Sequence, residues 1–226
     1  MMKKQSYITN KDLLREIHTS KIRYSSFIDT KYTTFHIIVD SVEDVSVAAA
    51  REIIGIPIKT PMGEITVDAV EDVVFRVMTY DHIPQDTKRK SKPKTVKDEH
   101  VKLNFPPFKH YIVTADDEPV EVGRSHWKGD LEKGSFCTNH GQITDALASM
   151  FMLLVERYSY KGSWRNYSYV SEMRSSALLH LTQIALKFDE TKSDNPFAFY
   201  TTSVKRCFVR TLNLEKLQQE IRDDLL

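Results

Sequence analysis

The spacing of apolar positions along the chain changes near residue 137. Before this point, short runs of β-branched and aromatic residues are bordered by Gly, Pro or Asp, which is the pattern of strands. The runs predict strands over residues 35–40, 64–70, 73–80 and 110–115. Two helices accompany them, one predicted to be capped by Asn10 and one opened by the capping-box spacing of Ser41 and Asp44.

Beyond residue 137, apolar residues recur every three or four positions, as they do in amphipathic helices. Three helices are predicted, over residues 143–160, 171–188 and from 195 onward. Asn195 is a favourable N-cap for the third helix, and Pro196 suits its first position because no backbone N–H is needed there. We expect a buried apolar stripe along this helix that continues through Leu217 and Ile221.

These patterns predict the α+β fold class and two domains. The first is a mixed α/β domain with short strands over residues 1–136, and the second is an all-α helical domain over residues 137–226. Hydrophobic residues make up 41% of the chain and charged residues 28%, so the chain can bury a substantial core. The net charge is only +1, so overall charge favours no class of partner and an electrostatic interface must be local.

Several features bear on cellular location. Cys137 and Cys207 are too few and too far apart for a disulfide framework, which is typical of a reducing cytoplasm. The first residues, "MMKKQSYITNKDLLREI", lack the apolar stretch of a secretory signal. No apolar run approaches the roughly 20 residues of a membrane helix. We therefore expect a cytoplasmic protein without a membrane partner.

The densest positive charge lies in a loop over residues 84–100, between two predicted strands. Its basic residues are Lys88, Arg89, Lys90, Lys92, Lys94 and Lys97. The loop has two prolines and almost no apolar residues, which is typical of a solvated, mobile loop. A phosphate-contacting arm is the alternative interpretation.

The residues that could carry catalysis or hold a metal form no standard constellation. The densest group is Cys137 and His140 in "CTNH", with His126 and Asp130 nearby. Their spacing matches no common zinc pattern. His36 and Asp40 share one face of a predicted strand, where such pairs are usually structural. The seven glycines do not cluster into a phosphate-binding loop. We therefore predict no catalytic residue, no cofactor and no metal, and hence no enzyme.

The third predicted helix combines aromatic and basic residues. These are Phe197, Phe199, Tyr200, Lys205, Arg206, Arg210 and Lys216. Phe199 shares one helical face with Arg206 and Arg210, given the helical repeat. Such a face can hold phosphates and stack unpaired bases, so it indicates nucleic-acid binding. The alternative is that the aromatic residues belong to the core.

The segment "SEMRSSALLHLTQIALKFDETKSDNPFAFYTT" joins a helix ending in Lys-Phe-acidic to an aromatic-rich helix, with basic residues one to two turns later. It resembles the second conserved region of bacterial sigma factors, and more closely the late-transcription sigma factors of T-even-like bacteriophages. The specific resemblance covers about residues 138–226. The first half, including "VVFRVMTYDHIP" and "RSHWKGDLEKGSF", is similar to longer versions in marine phages.

For the second helix, the resemblance implies docking on a coiled coil of the largest subunits of the host core RNA polymerase. The residues so implied are Glu172, Met173, Ser175, Ser176, Leu179, His180 and Gln183. Glu172 keeps the acidic position of the family. Ser175 and Ser176 replace a Gln-Glu or Ala-Asp pair, so the resemblance implies an altered contact there.

For the third helix, the resemblance implies contact with the non-template strand of promoter DNA at an AT-rich minus-ten-like element. The residues so implied are Phe197, Phe199, Tyr200, Ser203, Lys205, Arg206 and Arg210. Tyr200 matches the aromatic residue that stacks on the first flipped adenine. Ser203 and Val204 stand where the housekeeping family has a tryptophan pair that opens the duplex. Weaker unaided melting, and dependence on a co-activator, are therefore expected.

The resemblance also implies a C-terminal epitope for a phage sliding clamp, for which Asp224, Leu225 and Leu226 are the candidate, with a frayed helix end as the alternative. Together with the resemblance, the sequence predicts a phage-encoded sigma-like initiation factor that acts in the cytoplasm of an infected bacterium. The rival hypotheses are a phage DNA-binding regulatory or structural protein that does not act through RNA polymerase, and a metal-dependent hydrolase.

Overall fold

The protein divides into two compact units in a computed structural model that describes residues 7–88, 91–164 and 166–225. The sheet unit comprises residues 18–143, and the helical unit combines the residues up to Ile17 with those from Thr144 onward. The division therefore falls at Thr144 rather than at residue 137, and the described residues 7–17 group with the helical unit. Local patterning does not reveal such a grouping, because it depends on contacts between distant parts of the chain.

The described residues of the sheet unit form nine strands, two short α-helices and three 3-10 turns, together with the last residues of a helix that begins in the other unit. The strands are β1 (Ser25–Phe27), β2 (Ile37–Val39), β3 (Ile58–Thr60), β4 (Gly63–Ile65), β5 (Phe75–Val77), β6 (Lys109–Val113), β7 (Pro119–Ser125), β8 (Trp127–Lys128) and β9 (Ser135–Phe136). The helices are α1 (Asn10–Ile22), α2 (Val47–Arg51) and α3 (Val96–Glu99). Each of the four predicted strand segments overlaps a strand, and every one of these strands is shorter than predicted.

Five of the strands form one sheet in the order β1–β7–β6–β5–β2. Neighbours are antiparallel except for β2 and β5, which run parallel. A hairpin turn joins β6 to β7 at Asp117, whose φ of 62° is one that Asp tolerates better than most residues. The remaining strands pair separately, β3 with β4 and β8 with β9.

One apolar cluster fills the interior on one side of this sheet. Its buried members are Val45, Ala50, Val67, Val73, Phe75, Val77, Tyr111 and Val113. Ala50 belongs to α2, which Ser46 caps by accepting a hydrogen bond from the backbone N–H of Ala49 at 3.2 Å. The predicted capping box of Ser41 and Asp44 is present, but it opens a single 3-10 turn and not α2 itself.

The central strand β5 also buries a charged residue, Arg76, between two aromatic rings. The guanidinium carbon lies 3.8 Å from the ring centres of both Phe35 and Phe108. Its Nε donates a hydrogen bond to Nε2 of His110 at 3.0 Å. Nδ1 of His110 in turn lies 2.7 Å from the backbone oxygen of Tyr32, so it carries the proton. His110 is therefore held as a neutral imidazole.

Three helices form the core of the helical unit, namely α4 (Asp145–Ser159), α5 (Val170–Ile184) and α6 (Pro196–Asp224). Their buried side chains include Leu147, Met150, Phe151, Leu154, Met173, Ala177, Leu181, Tyr200, Val204 and Phe208. The predicted start of α6 is confirmed, since Asn195 Oδ1 accepts a hydrogen bond from Ala198 N at 3.0 Å and Pro196 is the first helical residue. Within the described residues, no helix is long and apolar enough to cross a membrane.

The start of α6 has a second cap from the N-terminal part of the chain. Asn10 Oδ1 accepts a hydrogen bond from the backbone N–H of Phe197 at 3.0 Å. The prediction that Asn10 caps α1 was therefore wrong. Thr9 does so instead, because its Oγ1 accepts from the backbone N–H of Asp12 at 3.1 Å.

Candidate functional site

One side of α6 packs in the core and the opposite side faces solvent. Tyr200, Val204 and Phe208 follow one another at four-residue spacing and are fully buried. At about 100° per residue, the side of the helix opposite these three residues faces away from the core. This outer surface, called here the α6 outer face, consists of Thr202, Lys205, Arg206, Val209, Arg210, Asn213, Leu214 and Leu217. Since one helix supplies all of them, it is an open face and not an enclosed cavity.

The α6 outer face brings together three of the predicted DNA-contacting cations, Lys205, Arg206 and Arg210, and all three are exposed. Phe199 lies at the border of this face, one to two turns before Arg206. Its half-buried ring meets the ring of Phe188 edge-on, with 5.7 Å between the ring centres. The arrangement is a cationic surface with one aromatic edge beside it.

Tyr200 does not belong to this surface. Its side chain is fully buried, its ring centre lies 4.8 Å from that of Phe151, and its hydroxyl donates a hydrogen bond to the backbone oxygen of Ala185. Burial also raises the pKa of the Tyr200 hydroxyl far above its usual range. Stacking on a flipped base requires an exposed ring, so Tyr200 is removed from the candidate interface. Its spacing with Val204 and Phe208 is that of a core stripe.

Two further predicted DNA contacts are separated from the cations. Ser203 is buried, and its Oγ donates to the backbone oxygen of Phe199 at 3.0 Å. Phe197 is 41% exposed, but it lies nine positions before Arg206, which places it on the opposite side of the helix. Ser203 is thus also removed from the interface, and Phe197 forms no continuous surface with the arginines.

On α5, the predicted polymerase-docking residues share the side that faces solvent. The residues exposed there, called here the α5 outer face, are Glu172, Ser175, Ser176, Leu179 and Gln183. Leu179, at the centre, is 62% exposed, and His180 is half-buried beside it. Met173 is the exception, because it is fully buried with Ala177 and Leu181 at four-residue spacing. The prediction that Met173 contacts a partner is therefore corrected.

The outer half of α6 departs from the predicted buried stripe. Leu217 and Ile221 are both 52% exposed, and Leu214 is 50% exposed. Apolar residues at helical spacing occur both in buried stripes and on exposed faces. Periodicity alone therefore could not predict whether this stripe is buried. In the candidate clamp epitope, Asp224 and Leu225 are exposed at the end of α6, and Leu226 lies outside the described residues.

Backbone hydrogen bonds close the base of the basic loop over residues 84–100. The backbone N–H of Asp86 donates to the oxygen of Glu99 at 2.9 Å, and that of Val101 donates to the oxygen of Pro84 at 3.1 Å. The lysines at 88, 92, 94 and 97 are exposed, whereas Arg89 and Lys90 lie outside the described residues. The loop therefore presents its described lysines to solvent above a hydrogen-bonded base.

Among the residues considered as metal ligands from the sequence, His126 is fully buried. Burial lowers the pKa of His126 to about 3, and its ring stacks on that of Phe105 with 4.0 Å between the ring centres. Cys137 lies close by, with its backbone N–H donating to the oxygen of His126 at 2.8 Å. In the described part of the chain, no group of three or more His, Cys, Asp or Glu side chains could hold a metal ion.

We compared the chain with protein-family models, with curated protein sequences and with solved structures, and none of them matches it. The resemblance to sigma factors therefore rests on the sequence motif alone. In the structure, the motif residues lie on the α5 outer face, on the α6 outer face and in the core between the helices.

Proposed function

We propose that this protein is a phage-encoded, sigma-like transcription initiation factor that binds host core RNA polymerase and an AT-rich minus-ten-like promoter element. The observation that carries the proposal is the exposed cationic α6 outer face. Arg206 and Arg210 are four residues apart, so they are separated by roughly 6 Å along the helix axis. This is close to two nucleotide steps along one DNA strand. Phosphates two steps apart on one strand are thus within reach of the two guanidinium groups.

The roles of the aromatic residues change accordingly. Phe199 is the aromatic candidate for contact with an unpaired base, because it borders the same face as Arg206 and Arg210. Tyr200 acts from the core, where its ring and hydroxyl fix α6 against α4 and the end of α5. AT-rich steps suit such a site, because pyrimidine–purine steps such as TA unstack at low cost.

The proposed polymerase contact is the α5 outer face. An exposed leucine surrounded by small polar residues can insert into an apolar pocket while its polar rim hydrogen-bonds to the partner. Leu179 is the anchor in this proposal, with Ser175, Ser176 and Gln183 around it. The factor itself has no proposed catalytic residue or cofactor, since the polymerase performs the chemistry.

The first experiment is co-purification of the full chain with core polymerase from the bacterial host at moderate salt. We expect a stable complex that Leu179→Asp weakens at least tenfold and that Met152→Asp, at an exposed position on α4, leaves unchanged. Lack of any binding by the unaltered protein would refute the proposal. A complex that Leu179→Asp does not affect would refute the assignment of the α5 outer face.

The second experiment measures binding of the polymerase complex to promoter DNA as a function of salt. Each phosphate contact adds about 0.7 to 0.9 to the slope of log K against log salt concentration. Arg206→Ala and Arg210→Ala should each lower affinity and reduce the slope by about one unit. Arg222→Ala is the matched control, because Arg222 is exposed on the same helix but points away from the outer face. Equal slopes for all three variants would exclude the proposed phosphate contacts.

A DNA-binding regulator that never contacts polymerase is the second candidate, because the cationic α6 outer face would serve it equally well. The two candidates differ in their need for the α5 outer face. If Leu179→Asp preserves DNA binding and no polymerase complex forms with the unaltered protein, the regulator is the correct interpretation.

A further inference from the structure

The outer half of α6 is a helix without packing partners along most of its surface. All described residues from 216 to 225 are exposed, including Leu217, Ile221 and Leu225. Isolated helices shorter than about 12 to 15 residues are marginal in water, and most helices in proteins are stabilised by packing of an apolar face. An uncovered apolar stripe on such a segment indicates a binding surface.

Four of the exposed charged residues on α6 are placed symmetrically in the sequence about position 215. Arg206 and Arg210 precede Glu215, and Glu220 and Asp224 follow it at the same two distances. Positions 206, 210, 213, 217, 220 and 224 recur at alternating intervals of four and three, which is the spacing of one coiled-coil face. The face thus begins with two cations, has Asn213 and Leu217 at its centre and ends with two anions.

We propose that the α6 outer face, together with Glu220 and Asp224 beyond it, binds a second copy of this chain. The two α6 helices pair in antiparallel orientation, centred near position 215. In this arrangement Arg206 lies level with Asp224 of the second copy, and Arg210 lies level with its Glu220. Leu214 and Leu217 of both copies pack around the two-fold axis. The same patch is used on both subunits, as an isologous interface requires.

Charge also selects the antiparallel orientation over the parallel one. A parallel pair would place Arg206 and Arg210 against the same arginines of the second copy and Asp224 against Asp224, which like-charge repulsion opposes. Among the residues that the structure describes, these four charged groups form no ion pair within their own chain. Their charges are thus available to a second copy.

The expected dimer is weak. A single helix pair lies at the low end of the 1,200 to 2,000 Å² that stable interfaces typically bury. We therefore expect a dissociation constant on the order of tens of micromolar. The inference does not rest on the proposed function, because it concerns the protein without DNA or polymerase.

The experiment is sedimentation equilibrium on the full chain over concentrations from about 1 to 500 µM, a range that brackets the expected constant. The unaltered chain should shift from monomer to dimer. The variants Arg206→Glu/Arg210→Glu and Glu220→Arg/Asp224→Arg should each remain monomeric, because each would face its own like charges. Arg222→Glu, on the same helix but off the outer face, should dimerise like the unaltered chain. Circular dichroism checks that each variant keeps its helix content.

The decisive sample is an equimolar mixture of the two double variants. In an antiparallel pair, the reversed charges complement each other in the mixed dimer, so association should return to at least the strength of the unaltered chain. A monomeric unaltered chain over the whole concentration range would overturn the proposal. So would a mixture that fails to associate, or a dimer that both double variants preserve.

Discussion

The hydroxyl of Tyr200 donates a hydrogen bond to the backbone oxygen of Ala185, which joins the first turns of α6 to the end of α5. Both residues are buried. Neither group can hydrogen-bond to water in the folded state, so the bond between them satisfies both. It also gives the buried tyrosine a structural role, since it holds the start of α6 against the end of α5.

Tyr200→Phe removes this hydrogen bond and leaves the Ala185 oxygen buried without that donor. The free energy of unfolding should fall by about 1 to 3 kcal/mol. Tyr200→Ala should cost about 3 to 5 kcal/mol, because a cavity is added. Urea denaturation followed by circular dichroism measures both values. If Tyr200→Ala left stability unchanged but abolished DNA binding, a direct role in base stacking would have to be restored.

Asn10→Ala should destabilise the helical unit by about 0.5 to 2 kcal/mol, because the backbone N–H of Phe197 loses its capping acceptor. The exposed neighbour Lys11 is the control, and Lys11→Ala should change stability by less than about 0.5 kcal/mol. Hydrogen exchange at the start of α6 would locate the effect. Unchanged exchange rates at Phe197 in Asn10→Ala would contradict the cap.

Acid should destabilise the sheet unit through its buried histidines. Burial and the nearby Arg76 guanidinium lower the pKa of His110 and His18 well below the usual range, and burial lowers the pKa of His82 to about 4. The unfolded chain binds these protons at pH near 6.5 and the folded chain does not. The stabilisation is therefore complete above about pH 6.5 and is lost as the pH falls below it.

The measurement is urea denaturation at several pH values between about 7.5 and 5, which span the unfolded-state pKa. Each such histidine contributes at most about 1.4 kcal/mol per pH unit. His126 is a further buried histidine, and burial lowers its pKa to about 3. His126→Asn removes this group, and Asn tolerates the positive φ of 53° at this position. The pH dependence should become less steep in this variant. A stability that is flat between pH 7 and 5 would contradict the buried neutral state of these histidines.

Two glycines offer a matched pair of substitutions. A Cβ at Gly123 would clash with the ring of Phe27, which packs directly on β7. Gly123→Ala should therefore cost about 1 to 3 kcal/mol. A Cβ at Gly162 would meet nothing within 4 Å, so Gly162→Ala should be neutral or stabilising by up to about 1 kcal/mol. Thermal denaturation of the two variants tests the difference, and equal effects would contradict the close approach of Phe27.

The sequence predicted features that depend on neighbouring residues better than features that depend on distant ones. The Asn195–Pro196 start of α6 is local, and the structure confirms it. The cap from Asn10 joins residues 187 positions apart, which no local pattern reveals. Tyr200 and Leu217 show a third case. Both recur at helical spacing with other apolar residues, yet Tyr200 is buried and Leu217 is exposed. Which stripe is buried depends on the packing of α4 and α5 against α6.

The order in which the chain is synthesised adds a consequence of the Asn10 cap. The helical unit draws residues from both ends of the sequence, whereas residues 18–143 form one continuous segment between them. During translation the sheet unit is therefore complete while α4, α5 and α6 are still to be made. Asn10 must wait for Phe197 to leave the ribosome before the cap forms. The central segment can thus fold before Asn10 and Phe197 meet.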